Sequence, residues 1–146
     1  QRIFRWKENK VIAYLLFIPN IQKAFRMNIE SVRDYCLSLP HVTEDFPFDE
    51  TTLVFRIGGK IFAMIDLEKT EWFVLKCEPE YALELREYHQ EISPAWHMNK
   101  KHWNQLNLFG SLQDAFVQSL IRHSYNQVVR KIPKRQREAE GLEILD

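Results

Sequence analysis

Between residues 94 and 110 the chain runs Pro94-Ala95-Trp96-His97-Met98-Asn99-Lys100-Lys101-His102-Trp103-Asn104-Gln105-Leu106-Asn107-Leu108-Phe109-Gly110, two lysines set between two tryptophans and two histidines with no acid among them. Ammonium groups beside flat aromatic and imidazole rings suit phosphate oxygens and the faces of bases or sugars. The same residues would make a poor core segment unless their charges reached water. The stretch therefore reads as a contact surface. A solvated turn beside two core tryptophans accounts for the same composition, so these residues alone leave both readings open.

Other chemistry is thinly represented. The chain carries no G-x-S-x-G, P-loop, G-x-G-x-x-G or H-E-x-x-H pattern, so an enzyme is not expected. His41, His89, His97, His102 and His123 are scattered; the five-residue gap between His97 and His102 would put them on opposite faces of a strand, unsuited to a shared metal. Glu44, Asp45, Asp49 and Glu50 surround Phe46-Pro47-Phe48 and could hold a hard cation, but carboxylates in a connection are usually just solvated and no Asp-x-Asp-x-Asp-Gly loop is present. No metal and no cofactor are expected. Cys36 and Cys77 are too few for a disulfide framework, which fits a reducing, cytoplasmic setting.

The elements that must position the cluster follow from patterning. Asn28 can cap a helix running to about Leu39, with Ile29, Val32, Cys36 and Leu39 on one face and Pro40 as the stop. Thr52 to Ile57 and Lys60 to Ile65 are two β-rich runs joined by Gly58-Gly59, a hairpin signal. A two-residue turn pairs Ile57 with Lys60, Phe55 with Phe62 and Leu53 with Met64 on the core face, and Arg56 with Ile61 and Val54 with Ala63 on the other. Glu71 to Lys76 adds a third strand. Pro79 and Glu80 open a second helix, with Tyr81, Leu85 and Tyr88 on one face. Two short extended segments are expected near Trp96 to Met98 and Gln105 to Phe109, with Asn99 to Asn104 between them at a loop tip. Ser111 with Asp114 then opens a long helix to about Ile132, which Pro133 ends. Basic residues Lys131, Lys134, Arg135 and Arg137 lead into a solvated tail.

With 146 residues, 45% of them apolar, the chain can build a core without metal or disulfide staples. Its formal charge is zero, which excludes a protein held on nucleic acid by bulk charge alone. The balance is uneven, however. Residues 1–26 hold six basic residues and one acid, leaving 14 basic against 19 acidic in the rest, so any basic face must be local. The apolar run Val11 to Ile18 is far short of the roughly 20 residues needed to cross a bilayer. The expected organisation is a basic, apolar extension over 1–26 that docks through Val11, Leu15 and Ile18, a domain over 27–138 beginning at Met27, and a C-terminal tail over 139–146.

The chain resembles the MmcQ/YjbR family of small bacterial proteins. The resemblance is carried by Val32-Arg33-Asp34-Tyr35-Cys36-Leu37-Ser38-Leu39-Pro40, Val42-Thr43-Glu44-Asp45-Phe46-Pro47-Phe48, Thr52 to Lys60, Leu75-Lys76-Cys77-Glu78-Pro79-Glu80, Trp96 to Asn104, Gly110-Ser111-Leu112 and His123-Ser124-Tyr125, and spans roughly residues 27 to 138. It implies an α+β domain similar to the frataxin-like fold, an antiparallel sheet of hairpins packed against helices. It also implies a "double wing" surface that binds DNA. Carried onto this sequence, the wing residues are Arg56 and Lys60 at the Gly-Gly hairpin and Asn99, Lys100, Lys101, His102 and Trp103 in the second connection.

The expected function is therefore nucleic-acid binding without catalysis, with DNA as partner, no membrane, and lysine and arginine on phosphates while Trp103 and His102 stack or wedge. The alternative from a different class is a protein-interaction or regulatory module that self-associates into a homo-oligomer through residues 1–26. Frataxin-like metal handling through Glu44, Asp45, Asp49 and Glu50 rests on fold analogy alone.

Overall fold

The computed structural model describes residues 27–146; the expected extension over 1–26, with Val11, Leu15 and Ile18, lies outside the described residues. Helix α1 (Ile29–Ser38) starts as the sequence requires. The Asn28 side chain accepts from the Ser31 N–H at 3.0 Å while Ser31 Oγ accepts from the Asn28 N–H at 2.8 Å, a reciprocal cap. Strands β1 (Thr43–Asp45), β2 (Thr52–Ile57), β3 (Lys60–Asp66) and β4 (Trp72–Lys76) follow, then α2 (Pro79–Tyr88), β5 (Ile92–Pro94), β6 (Trp103–Asn107), α3 (Asp114–Lys131) and α4 (Lys134–Glu140). The strands form one antiparallel sheet in the order β1-β2-β3-β4-β6-β5, the α+β class expected.

Register places one apolar row across five strands: Leu53, Ile65, Phe73, Leu106 and Ile92 stand opposite one another in turn. This row joins Ile29, Val32 and Cys36 of α1, Ala82 and Leu85 of α2, and Val117, Leu120, Ile121, Tyr125, Val128 and Val129 of α3 in a single core. The described helices thus cover one face. The adjacent row, turned the other way, runs Asp45, Val54, Met64, Val74, Gln105 and Ser93.

The hairpin departs from simple counting. Ile57 pairs with Lys60 and Arg56 with Ile61 as expected, but Phe55 then faces Ala63 rather than Phe62, Val54 faces Met64 rather than Ala63, and Leu53 faces Ile65 rather than Met64. A β-bulge makes Phe62 an extra residue, so Phe62 and Ala63 both enter the core and Met64 leaves it. The bulge sets the Phe62 ring edge-on to Tyr125 of α3, centroids 5.7 Å apart. It also breaks the ladder between β3 and β4 beyond Ala63 and Leu75. Buried Ser124 of α3 fills that break: its hydroxyl donates to the Phe62 carbonyl at 2.6 Å and accepts from the Lys76 N–H at 2.9 Å.

Four further expectations need correction. The strands after α2 are Ile92–Pro94 and Trp103–Asn107, not segments at Trp96 to Met98 and Gln105 to Phe109; Trp96 is 73% exposed and His97 takes a left-handed φ of 63°, which no strand accommodates. Tyr88 is also 73% exposed, and the inner face of α2 is Ala82 and Leu85. Ser111 does not cap α3; its hydroxyl donates to Glu91, while Asp114 accepts from the Met27 N–H at 2.9 Å. Finally, the basic segment after Pro133 is ordered as α4, closed by Gly141 at φ 69° and by a bond from the Leu142 N–H to the Arg137 carbonyl at 2.9 Å. Leu142 is buried against the core.

Candidate nucleic-acid interface

The connection from β5 to β6 is built around Asn99. Its side chain accepts from the Lys101 N–H at 2.9 Å, and its carbonyl accepts from the N–H groups of His102 and Trp103 at 3.1 and 3.0 Å. Arg86 of α2 grips the loop from outside: Nε donates to Asn104 Oδ1 at 2.6 Å, and Nη2 donates to the carbonyls of Lys100 and, at 3.4 Å, Trp103. Five donors on a planar fork suit arginine to this carbonyl-binding role. Asn99 is thus a loop organiser, and the lysine ammonium groups are left pointing outward. Lys100 and Lys101 are both exposed and, with Pro79, Glu80, Leu83 and Arg86, line a shallow groove of about 440 Å³.

The loop meets the rest of the sheet end through its neighbours. The Cys77 N–H donates to the His102 carbonyl at 2.8 Å, and Lys76, opposite Trp103 in the register, holds its Nζ 5.9 Å from the Trp103 ring centroid. Burial first, then the charges of Lys131 and Lys60, lowers the Lys76 pKa. Partial burial, then Lys131, Lys76 and Lys101, likewise lowers that of His102 below the usual histidine value. The cations that act on Lys76 and His102 mark a convergence. Lys60 at the start of β3, Lys76 at the end of β4, Lys101 in the loop and Lys131 at the end of α3 form one positive ledge around His102 and Trp103. Among the described residues none of these four lysines lies within ion-pair distance of a carboxylate.

Of the residues expected from sequence, Lys60, Lys101, His102 and Trp103 come together on this ledge, and Lys100 stands beside it over the α2 groove. Arg56 does not join them. Its Nε donates to Asp45 Oδ1 at 3.0 Å and its Nη1 to the Gly59 carbonyl at 3.0 Å, which commits the guanidinium to the hairpin itself. Sequence does not single out Lys76, Lys131 or Arg86 as site residues. The meander pattern does place Lys76 at a strand end beside the hairpin, which is a usable signal; Arg86 looks like any charged helix residue. Two α3 side chains fix the sheet end beneath the ledge: Ser124, and His123, whose Nε2 accepts from the Glu78 N–H at 3.1 Å. Acceptance there requires a neutral imidazole, and burial, then Arg130, lowers the His123 pKa, with Glu78 opposing.

The acidic connection is organised for structure. Glu44 pairs with Arg33 through two bonds of 2.8 and 2.6 Å, Asp45 holds Arg56, and Asp49 accepts from the Thr51 and Thr52 N–H groups, which lower its pKa. Among the described residues no three His, Cys, Asp or Glu side chains gather as a metal site. Burial pushes both thiols up, that of Cys77 to about 12, so neither supplies a thiolate nucleophile near neutral pH. No described helix is long and apolar enough to cross a membrane.

Comparison with known proteins agrees with this architecture. The YjbR family model matches residues 37–127. The "uncharacterized protein YjbR" of Escherichia coli strain K12 is 32% identical over 112 residues, 76% of this chain and 95% of that protein. The "uncharacterized protein YbdF" of Escherichia coli O157:H7 is 36% identical over 107 residues, 73% of this chain and 88% of its own. Among solved structures, a Deinococcus radiodurans protein with a DUF419 domain superposes with a TM-score of 0.76 at 37% identity, over 81% of this chain and 91% of its own. A Pseudomonas syringae protein gives a TM-score of 0.58 at 32% identity, over 67% and 96%. With the family model over most of the described residues and relatives above 30% identity along nearly their whole length, the chain belongs to the YjbR family.

Proposed function

We propose that the protein binds nucleic acid, without catalysis, across the ledge formed by Lys60, Lys76, Lys101, Lys131, His102 and Trp103, with Lys100 as an outlying contact. The observation that carries this reading is the crowding of unpaired cations. Lys60 and Lys131 beside Lys76, and Lys131, Lys76 and Lys101 beside His102, are held together at an electrostatic cost, which a phosphate chain threaded among them would relieve. Trp103 supplies a flat surface at the same place, so the ledge offers both phosphate and base contacts. The acidic remainder of the domain confines binding to this patch and keeps nonspecific affinity modest.

Fluorescence anisotropy with labelled single-stranded and duplex oligonucleotides tests the proposal. Five lysines on phosphates give a log-log salt slope of about −4.5 on duplex and about −3.5 on single strands. The Lys76→Ala and Lys131→Ala double variant flattens the slope by about 2 while the circular dichroism spectrum stays that of the wild type. A slope near zero, or affinity untouched by the double variant, defeats the proposal. Protonation of His102 adds a charge, so affinity rises as pH falls below 6.5, through its lowered pKa, and His102→Gln removes that rise.

A further inference from the structure

The connection from β5 to β6 presents cations and flat rings, while the side chains that could read a base pair by its edges are already engaged. Readout in a duplex groove uses arginine on guanine, and on adenine the paired oxygen and nitrogen of an asparagine or glutamine amide. Here those groups shape the fold. The Arg86 fork holds Asn104 Oδ1 and the carbonyls of Lys100 and Trp103, and the Arg56 guanidinium holds Asp45 and the Gly59 carbonyl. Asn99 Oδ1 accepts from the Lys101 N–H at 2.9 Å. Asn104 Nδ2 donates to the Ala82 carbonyl at 3.4 Å, Gln105 Oε1 accepts from the Trp96 N–H at 3.4 Å, and both amides are buried. What the loop offers to a ligand is of another kind. Lys100 and Lys101 are exposed, and among the described residues neither lies within ion-pair distance of a carboxylate. Trp96 is 73% exposed and meets the His97 ring edge-on, centroids 6.2 Å apart. Leu83, 63% exposed, and Pro79 form an apolar floor in the groove that the two lysines line.

We infer that the nucleic acid bound here is single-stranded and taken with little regard to sequence, its phosphates on Lys100 and Lys101 and its bases against the Trp96 ring and the Leu83 floor. This rests on the nucleic-acid reading above and narrows it. In a duplex the base faces are stacked on one another and only their edges meet a protein, so an exposed ring beside the backbone gains little from them. An unpaired strand turns its base faces outward, and an aromatic side chain accepts any of them because every base has a π-face. The two tryptophans of the loop belong to one track: the Ala95 N–H donates to the Trp103 carbonyl at 3.1 Å, which sets Trp96 one residue beyond the partner of Trp103. Charge alone argues for the opposite choice, since each phosphate contact releases more counterion from a duplex than from a single strand. A preference for single strands therefore reports contact with base faces.

Anisotropy titrations of the full chain at one salt concentration test the inference. The probes are fluorescein-labelled oligothymidylate and a mixed-sequence oligonucleotide, each about 16 nucleotides long to fill a single-strand site, and each used alone and annealed to its complement. The single strands are expected to bind at least about tenfold more tightly than the duplexes, and the two sequences within about threefold of each other. Trp96→Ala is expected to weaken single-strand binding about tenfold and leave duplex binding unchanged, whereas Trp96→Phe, which keeps a flat ring, retains most of the affinity. Leu83→Asp, which sets a carboxylate in the floor beside the phosphates, is expected to weaken single-strand binding by a similar factor. Both side chains are exposed, so the variants are expected to melt with the wild type. Duplexes bound as tightly as single strands, or single-strand binding untouched by Trp96→Ala, overturn the inference and leave the wider nucleic-acid reading standing. Failure of every oligonucleotide to bind overturns both.

Discussion

Replacing Ser124 with alanine removes one hydroxyl and leaves two backbone groups without partners. Ser124 Oγ stands where β3 and β4 would otherwise continue their ladder, donating to the Phe62 carbonyl and accepting from the Lys76 N–H, and the residue is fully buried. A buried polar group left unsatisfied costs about 1–3 kcal/mol, so the two together cost about 2–4 kcal/mol once partial relaxation is allowed. For a domain of this length that lowers Tm by about 5–15 °C. Urea denaturation followed by tryptophan fluorescence measures the loss, with an unchanged m-value showing that the same surface unfolds. Ser119→Ala is the control, because Ser119 Oγ bonds only the Phe116 carbonyl of its own helix, and its removal costs under about 0.5 kcal/mol. The Lys76 backbone is one of the freed groups, so the same variant weakens oligonucleotide binding. A Ser124→Ala protein as stable as Ser119→Ala would refute the reasoning and show that the two strands close on each other without the helix.

His123 supplies a pH signature. Its folded pKa lies below the unfolded value near 6.5, so its contribution is complete above pH 6.5 and fades as pH falls through the folded pKa. His123→Phe keeps the ring against Tyr81, loses the acceptor for Glu78, and is expected to cost about 1–2 kcal/mol at pH 7.5 and nearly nothing at low pH; a cost equal at both pH values, read from urea midpoints, contradicts the bond. Gly58 and Gly59 should respond unequally to alanine. At Gly58, φ is 58° and an added Cβ would lie 2.6 Å from Ile132 and 3.0 Å from Leu142, whereas at Gly59, with φ 80°, it meets nothing within 4 Å. Thermal melts are expected to show a loss of about 1–2 kcal/mol for Gly59→Ala from backbone strain alone and clearly more for Gly58→Ala; equal losses would mean that the C-terminal segment does not rest on the turn.

Local chemistry is readable where one residue type enforces one geometry. Asn28 as a cap, Gly58-Gly59 as a tight turn and Pro79 at a helix start leave few alternatives, and all three stand where sequence places them. The bulge is not readable, because Ile61-Phe62-Ala63-Met64-Ile65 is apolar throughout and carries no alternation to show which side chain is extra. Trp96 falls outside its expected strand for a related reason: an aromatic residue raises β propensity without saying whether it is buried. Helix α4 looks like a solvated tail because only the residues after it, Leu142 and Leu145, reach the hydrophobic interior. The ledge is half legible. Lys101, His102 and Trp103 form a visible cluster and the meander sets Lys76 beside Lys60, but Lys131 sits at the end of α3 and reaches them only through packing of that helix on the sheet, which sequence spacing does not encode.

The Gly58-Gly59 turn is fastened at its tip. Ile132 and Leu142 close over Gly58, and Gln136 Nε2 donates to the Gly58 carbonyl at 3.1 Å. A hairpin held in this way is a fixed peg whose position is set by Ile132, Gln136 and Leu142. Trimming the C-terminal segment that carries them, or loading it with a bulky fusion, would loosen Lys60 from a distance, so a purification tag belongs elsewhere when affinity is to be measured.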